Sequence, residues 1–193
     1  MNEFAFQRIN ATHQKKRSHI MNLQYPIGKY VAQDFSKKLK NEWLTDIKFL
    51  PNEIENAVAT LDNQQIQTPY REGGWTIHQL VHHVADSHMH AYIRFKTGFS
   101  ESNPSIMPYD EKVWADYTDV KNLPVDLSIS LLYALHRRWQ EFMAGLNEQD
   151  FQKTIYHPLN NQNTTLWHLL GFYAWHGKHH VAQITQLNDQ MMW

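Results

Sequence analysis

Apolar residues recur at steps of three and four along most of this chain, which is the spacing of an amphipathic helix. Four such segments cover about residues 36–61, 76–97, 126–146 and 165–191. The pattern therefore predicts an all-α protein built as a four-helix bundle. Pro51 falls inside the first segment, where a proline is expected to kink or split the helix.

The connections between the segments add to this picture. Thr76 and Gln79 stand three apart, as in the capping box that opens a helix. The second and third helices are separated by about 28 residues, 98–125, which is long for a compact bundle but suits a crossover between parallel helices. We expect a short helical turn at 110–117 inside this crossover and a brief extended piece within 147–163.

Composition narrows the class of protein. The chain has 193 residues, of which 42% are hydrophobic, enough for one sizeable core. Its 18 basic and 19 acidic side chains give a net charge of -1, which excludes the basic footprint of a nucleic-acid-binding protein and any strong attraction to anionic membranes. No run of 18 apolar residues exists, so no membrane span is predicted. The absence of cysteine excludes disulfides, thiolate ligands and a cysteine nucleophile, and it fits a cytoplasmic protein.

The N-terminal segment differs from the rest of the chain. Residues 1–20 contain lysine and asparagine but no apolar stretch of the kind found in a secretory signal. We interpret residues 1–20 as a flexible N-terminal extension and residues 21–193 as a single domain.

Thirteen histidines are present, and several cluster inside the helical patterns. His176 and His180 are four apart on the fourth helix, so their side chains share one face, and this face is the apolar stripe. Two imidazoles at this spacing can bind one metal ion. An unpaired polar group in the core costs about 1–3 kcal/mol, so two stacked buried histidines favour a cation between them. In isolation the pair is also typical of surface histidines.

The second helix supplies candidates for a third ligand. His82 and His83 are adjacent, and periodicity alone leaves the choice between them close to even. Three imidazoles with an open position are typical of a catalytic metal site. We interpret His82, His88 and His90 as flanking or pocket-rim residues. Asp86 either accepts a hydrogen bond that orients a histidine or faces water.

Ordered motifs run along residues 21–193 and include both histidine groups. They are Tyr25-Pro26-Ile27-Gly28, Pro69-Tyr70-Arg71 with Gly73-Gly74-Trp75-Thr76, His82-His83 with Ala85-Asp86-Ser87-His88, Tyr92-Ile93-Arg94-Phe95-Lys96, Pro108-Tyr109-Asp110-Glu111 with Trp114, His136-Arg137 with Trp139, Tyr156-His157-Pro158, and Trp175-His176 through His180. The series resembles the DinB-like superfamily and, within it, the YfiT-type metal-dependent hydrolases, also described as bacillithiol S-transferases. Residues 1–20 have no counterpart in this resemblance.

The resemblance carries implications for fold and site. It implies an up-down-down-up bundle with the long crossover between helices two and three, and a homodimer. It also implies that His83, with His176 and His180, holds one divalent metal ion per chain. Imidazole ligands suit zinc or nickel among others. The matched motifs contain further aromatic or hydrogen-bonding residues that are candidates for the pocket wall, or else for packing: Arg94, Tyr109, Trp114, His157 and Trp175.

Three functions are compatible with such a site. A metal on three neutral imidazoles can activate a bound water, or it can hold a thiol as the nucleophilic thiolate. Our leading hypothesis is an enzyme that transfers a low-molecular-weight, bacillithiol-like thiol to an electrophilic substrate, with Arg94 binding a carboxylate of the thiol. The alternatives are a hydrolase that uses a metal-bound water, and a non-catalytic metal-binding bundle of the stress response.

Overall fold

The computed structural model describes residues 22–193, and the predicted N-terminal extension lies outside the described residues. In chain order the elements are α1 (Lys37–Val58), α2 (Asn63–Ile66), α3 (Ile77–Ser100), α4 (Glu111–Trp114), α5 (Thr118–Asn122), α6 (Val125–Ala144), α7 (Glu148–Phe151), β1 (Thr154–His157), β2 (Gln162–Thr165) and α8 (Leu166–Met191). The four long helices α1, α3, α6 and α8 correspond to the four predicted segments. None of the helices within the described part of the chain combines the length and apolar character needed to cross a bilayer.

Three of the long helices begin at side-chain caps. Ser36 accepts from the backbone N–H of Leu39 at the start of α1. Thr76 and Gln79 form the predicted capping box of α3. Thr165 accepts from the backbone N–H of His168 at the start of α8. Because these bonds are local, the sequence predicted where these helices start to within about a residue.

Pro51 does not split the first helix, since α1 runs from Lys37 to Val58 through that residue. Proline lacks the N–H that would bond to the carbonyl four residues earlier, which is that of Ile47. His136 on α6 fills this place, with its Nδ1 atom 2.5 Å from the Ile47 oxygen. A bond from a neighbouring helix thus replaces the missing helical bond.

The order of the helices follows from residues that meet across their interfaces. α1 packs against α6 and α8. Lys40, near the start of α1, donates to the Leu146 carbonyl just beyond the end of α6, so these two helices are antiparallel. Trp43 lies beside Gly171, and Ala57 accepts from Asn188, so α1 and α8 run parallel.

α3 packs against the same two helices from the other side. His82 meets Ser128 and His88 meets His136, so α3 and α6 are parallel. Arg94 meets Tyr173 on α8, whereas His88, earlier on α3, meets the later residue His176, so α3 and α8 are antiparallel. The bundle therefore has the predicted up-down-down-up order.

The connections contain the two smaller features predicted for them. The helical turn α4 lies in the crossover between α3 and α6. The predicted extended piece is half of an antiparallel hairpin of β1 and β2, with Thr154 opposite Thr165. Ser105 of the crossover pairs with Tyr156 of β1, which ties the crossover to the hairpin beside the end of α3.

Two apolar clusters fill the bundle, and a polar layer separates them. One contains Trp43, Phe95 and Trp139, and the other contains Leu80 and Leu132. The first cluster fills one end of the bundle and the second cluster fills the other end, so each long helix contributes residues to both. The layer itself consists of buried histidines, which are His83, His88, His136, His176 and His180.

Candidate metal centre

Two antiparallel helices bring three histidines to one point in the polar layer. His83 comes from α3, while His176 and His180 come from successive turns of α8. Each offers a ring nitrogen, and these atoms all lie within 4.8 Å of one another. The ring centroids are 4.5 Å apart for His176 and His180, and 5.1 Å apart for His83 and His180. The cluster joins the two groups of histidines that the sequence singled out.

His82 lies away from the cluster. Its Nδ1 atom is 2.7 Å from the Ser128 hydroxyl, and its Nε2 atom is 3.2 Å from the Leu123 carbonyl. Both ring nitrogens therefore face the start of α6. The structure thus places His83, and not its neighbour, with His176 and His180.

Burial keeps the three histidines neutral. It lowers the pKa of His83 to about 4. The pKa values of His176 and His180 lie well below the ordinary value, first because of desolvation and then because of neighbouring histidines. Each ring therefore has one N–H and one free lone pair at pH 7, which is the state that binds a cation.

The hydrogen bonds of His180 fix its tautomer. The Gln183 amide nitrogen donates to the Gln24 carbonyl at 3.2 Å, which leaves the amide oxygen 2.8 Å from Nδ1 of His180. That oxygen can only accept, so Nδ1 carries the proton and Nε2 of His180 has the lone pair. Nε2 points at Nε2 of His176, 3.2 Å away.

A divalent cation fits this arrangement. His176 uses its Nδ1 atom toward His88, so its Nε2 atom is also directed at the cluster. Where His176 also carries its proton on Nδ1, two lone pairs face each other at 3.2 Å and repel unless a cation lies between them. A tetrahedral ion with nitrogen ligands at ~2.0–2.1 Å holds them about 3.3 Å apart. The spacing of His176 and His180 thus suits one ion bound by imidazoles, and His83 offers a third nitrogen within 4.8 Å of theirs.

The cluster opens on one side into a cavity of about 580 Å³. His83 and His176 line it, as do three of the five predicted pocket residues, namely Arg94, Tyr109 and His157. Burial raises the pKa of Tyr109, so its hydroxyl stays protonated.

Trp114 and Trp175 were candidates for the pocket wall or for packing, and neither lines this cavity. Trp114 packs behind Tyr109, with ring centroids 4.8 Å apart. Trp175 precedes His176 by one residue, which turns it about 100° around the helix axis and away from the cavity. Its indole donates to the Gly28 carbonyl on the other side of α8.

The flanking residues of α3 differ in position. His88 is fully buried next to His176, so of the two positions expected for it, flanking the ligands or at the pocket rim, it takes the first. The reason is that residue 88 faces α6 and α8 at once. His90 stacks on Tyr109 at 4.2 Å and supports the pocket wall. Burial and Asp119 raise the pKa of Asp86 to about 6, and within residues 22–193 Asp86 has no hydrogen bond to a histidine.

Sequence reasoning missed several residues of the pocket wall, among them Tyr173 and Ser87. Tyr173 lines the cavity and accepts from Arg94. Ser87 lines the same cavity as Tyr109 and Tyr173. Both could have been found, because Ser87 lies four residues after His83 and Tyr173 three before His176, on the same helix faces.

Comparisons with known proteins agree with this geometry. A protein of Bacillus mycoides (strain KBAB4) and one of Bacillus cereus (strain AH820), each named "Putative metal-dependent hydrolase", are 46% identical over 173 residues, 89% of this chain and 99% of theirs. A solved structure of YfiT from Bacillus subtilis, described as "a probable metal-dependent hydrolase with an unusual four-helix bundle topology", superposes with a TM-score of 0.87. It is 44% identical, and the match covers 89% of this chain and 99% of YfiT. The pattern of the DinB superfamily matches residues 47–184. The chain, with its up-down-down-up bundle and its buried histidine cluster, belongs to the DinB superfamily.

Proposed function

We propose that this protein is a metal-dependent transferase that joins a low-molecular-weight thiol to an electrophilic carbon. His83, His176 and His180 would hold one divalent ion, with zinc and nickel the leading candidates for imidazole ligands. When bound, such an ion lowers the pKa of a thiol or water coordinated to it and so favours the nucleophilic anion.

The observation that carries this proposal is an arginine, Arg94, in the wall of the adjoining cavity. Among the described residues that line this cavity, Glu111 is the sole acidic side chain, and Glu111 is exposed. The cavity therefore suits a substrate that carries a carboxylate. Activation of the nucleophile fits both reactions, because His157 and His168 also line the cavity and histidine is the most frequent general base. The arginine is thus what favours a carboxylate-bearing thiol as the substrate.

The far wall of the cavity has an unsatisfied cation. Arg94 donates from Nη1 to the Tyr173 hydroxyl at 2.8 Å, but its Nε atom is buried without a partner. No carboxylate within residues 22–193 forms a salt bridge with it. Nδ1 of His157, which lines the same cavity, is also buried without a partner. These groups would bind a carboxylate of the thiol substrate while its sulfur lies at the histidine cluster.

A direct test uses the metal-loaded protein with a thiol and 1-chloro-2,4-dinitrobenzene. The sulfur forms a bond to the ring carbon, the carbon–chlorine bond breaks, chloride leaves with the electron pair and the thiol proton passes to buffer. We expect adduct formation above the uncatalysed rate, loss of this activity on chelation, and its return with metal. The absence of such an excess with every bacterial thiol tried would rule out the transferase.

The Arg94 site is tested with a matched pair of thiols, N-acetyl-cysteinylglycine and its C-terminal amide. A hydrogen bond to a charged group contributes about 1.5–3 kcal/mol, so Arg94→Gln should raise KM for the acid roughly 10- to 100-fold and leave KM for the amide nearly unchanged. Arg137→Gln, at an exposed arginine of α6, is the control for lost charge. Equal effects of both variants on both thiols would contradict a carboxylate at Arg94.

Hydrolysis is the second candidate, favoured by the names of the relatives. The same three histidines would serve it. Turnover of amides or esters without thiol would support the hydrolase, and metal binding without any turnover would support the non-catalytic bundle. The homodimer and the cytoplasmic location remain predictions, and light scattering of the purified protein tests the first.

A further inference from the structure

The break in the hydrogen bonds of α1 marks the start of a chain of contacts that ends at the metal centre. Ile47 is fully buried, and Pro51 cannot donate to its carbonyl. An unpaired buried carbonyl is costly, so another donor is needed. His136 of α6 supplies it through Nδ1. From His136 the contacts continue through His88 to His176.

Each contact in this chain has one possible direction. The Ile47 carbonyl can only accept, so Nδ1 of His136 carries a proton. Burial lowers the pKa of His136 to about 4, so the ring is neutral at pH 7 and its Nε2 atom accepts. Nε2 of His136 lies 3.0 Å from Nδ1 of His88, which must donate.

The same reasoning carries the direction to the metal centre. His88 is fully buried between the imidazoles of His136 and His176, where a charge would be costly without a charged partner, so it is neutral too. With its proton on Nδ1, it accepts at Nε2 from Nδ1 of His176, 3.2 Å away. The proton of His176 is therefore on Nδ1, and Nε2 is left with the lone pair.

We propose that the chain Ile47 carbonyl–His136–His88 fixes the tautomer and the ring orientation of His176, so that Nε2 faces the metal centre before any ion arrives. His88 and His136 are then positioning residues that act through His176. In the opposite tautomer, an N–H on Nε2 would occupy the place of the cation, and the ring would have to reorganise before binding. This inference rests on the proposed metal site, but it is independent of whether the reaction is thiol transfer or hydrolysis.

The first test measures the tautomers directly. In metal-free protein with nitrogen-15-labelled histidine, two-bond nitrogen–proton spectra at pH 7.5 should show His88, His136 and His176 all protonated on Nδ1. A proton on Nε2 of His176 would overturn the inference, whatever any variant does.

The second test compares two substitutions of the same residue. Glutamine at position 136 can still donate to Ile47 and accept from His88, whereas leucine has a similar volume and can do neither. Contacts beyond the ligands typically contribute 10- to 100-fold to metal affinity. We expect His136→Leu to weaken Zn²⁺ affinity by about that factor in competition with a chelating dye, and His136→Gln to stay within a few-fold of the wild type.

The outcomes separate this inference from the proposed function. A wild-type protein that binds no Zn²⁺ would end both proposals. A wild-type protein that binds Zn²⁺ while His136→Leu binds it equally well would end only the positioning role. A His136→Gln variant that is folded by circular dichroism but binds as weakly as His136→Leu would also end it, because the hydrogen bonds would then not be what matters.

Discussion

Single residues of the polar layer differ in how they are held, and this difference predicts which of them matter for metal binding. His176 and His180 of α8 are each fixed by a hydrogen bond that their Nδ1 atom donates, to His88 and to Gln183 respectively. His83 is held by packing against Trp75, with ring centroids 4.6 Å apart. His82, its neighbour, has both nitrogens engaged elsewhere.

We therefore expect His83→Ala to lose most of the bound metal and His82→Ala to retain it. His176→Ala and His180→Ala should each lose metal as well, because two imidazoles alone rarely hold a divalent ion. Elemental analysis after dialysis gives the metal content per chain. If His82→Ala emptied the site while His83→Ala kept its ion, the assignment of His83 would be wrong.

For single residues, the sequence predicted which histidines come together only where they are close in the chain. His176 and His180 share a face because they are four residues apart on one helix. The choice of His83 over His82 could not be made from spacing, because it depends on where Ser128 of a different helix lies. The pairing of His88 with His136 was missed for the same reason, since the two residues lie 48 positions apart.

Between elements, the approach of α1 to α8 depends on a glycine. A Cβ atom at Gly171 would lie 2.5 Å from the Tyr30 hydroxyl and 2.7 Å from the Trp43 ring, closer than atoms pack. At Gly145 the nearest atom would be 3.7 Å away, which is ordinary contact. The sequence around the two glycines does not tell them apart. Only the distances to neighbouring side chains in the folded protein do.

Gly171→Ala should therefore lower the free energy of unfolding by about 1–2 kcal/mol. Overpacking costs ~1–3 kcal/mol. The better helix propensity of alanine offsets up to about 1 kcal/mol of that cost. Gly145→Ala should be neutral or slightly stabilising. Urea unfolding followed by circular dichroism measures both, and equal stabilities of the two variants would contradict the close approach at Gly171.

The elements themselves were largely predictable, and their relations were not. Caps and apolar periodicity placed the four long helices, because both are local properties. The hairpin was only half predicted, because β2 carries polar residues and is defined by its pairing with β1. The unbroken helix at Pro51 depends on His136, which lies 89 positions from Ile47.

Across the whole molecule, a layer of neutral histidines divides the two apolar clusters, and this makes stability depend on pH. In the unfolded chain a histidine has a pKa of about 6.5. In the folded protein burial lowers the pKa of His136 to about 4, and the other histidines of the layer shift in the same direction. Between pH 6.5 and 4 the unfolded state therefore binds more protons than the folded state, and stability falls as the pH falls.

For metal-free protein we expect the free energy of unfolding to be nearly constant from pH 8 to 7 and to decline below about pH 6.5. Each such histidine contributes a slope of up to about 1.4 kcal/mol per pH unit. His136→Gln removes one titrating group, so it should reduce the slope by up to about 1.4 kcal/mol per pH unit. At pH 8 it should change the free energy of unfolding little. Urea titrations at several pH values measure the slopes. An unfolding free energy that stayed constant from pH 7.5 to 5 would show that the histidines of the layer titrate in the folded protein as they do in the unfolded chain, and would contradict the lowering of their pKa values by burial.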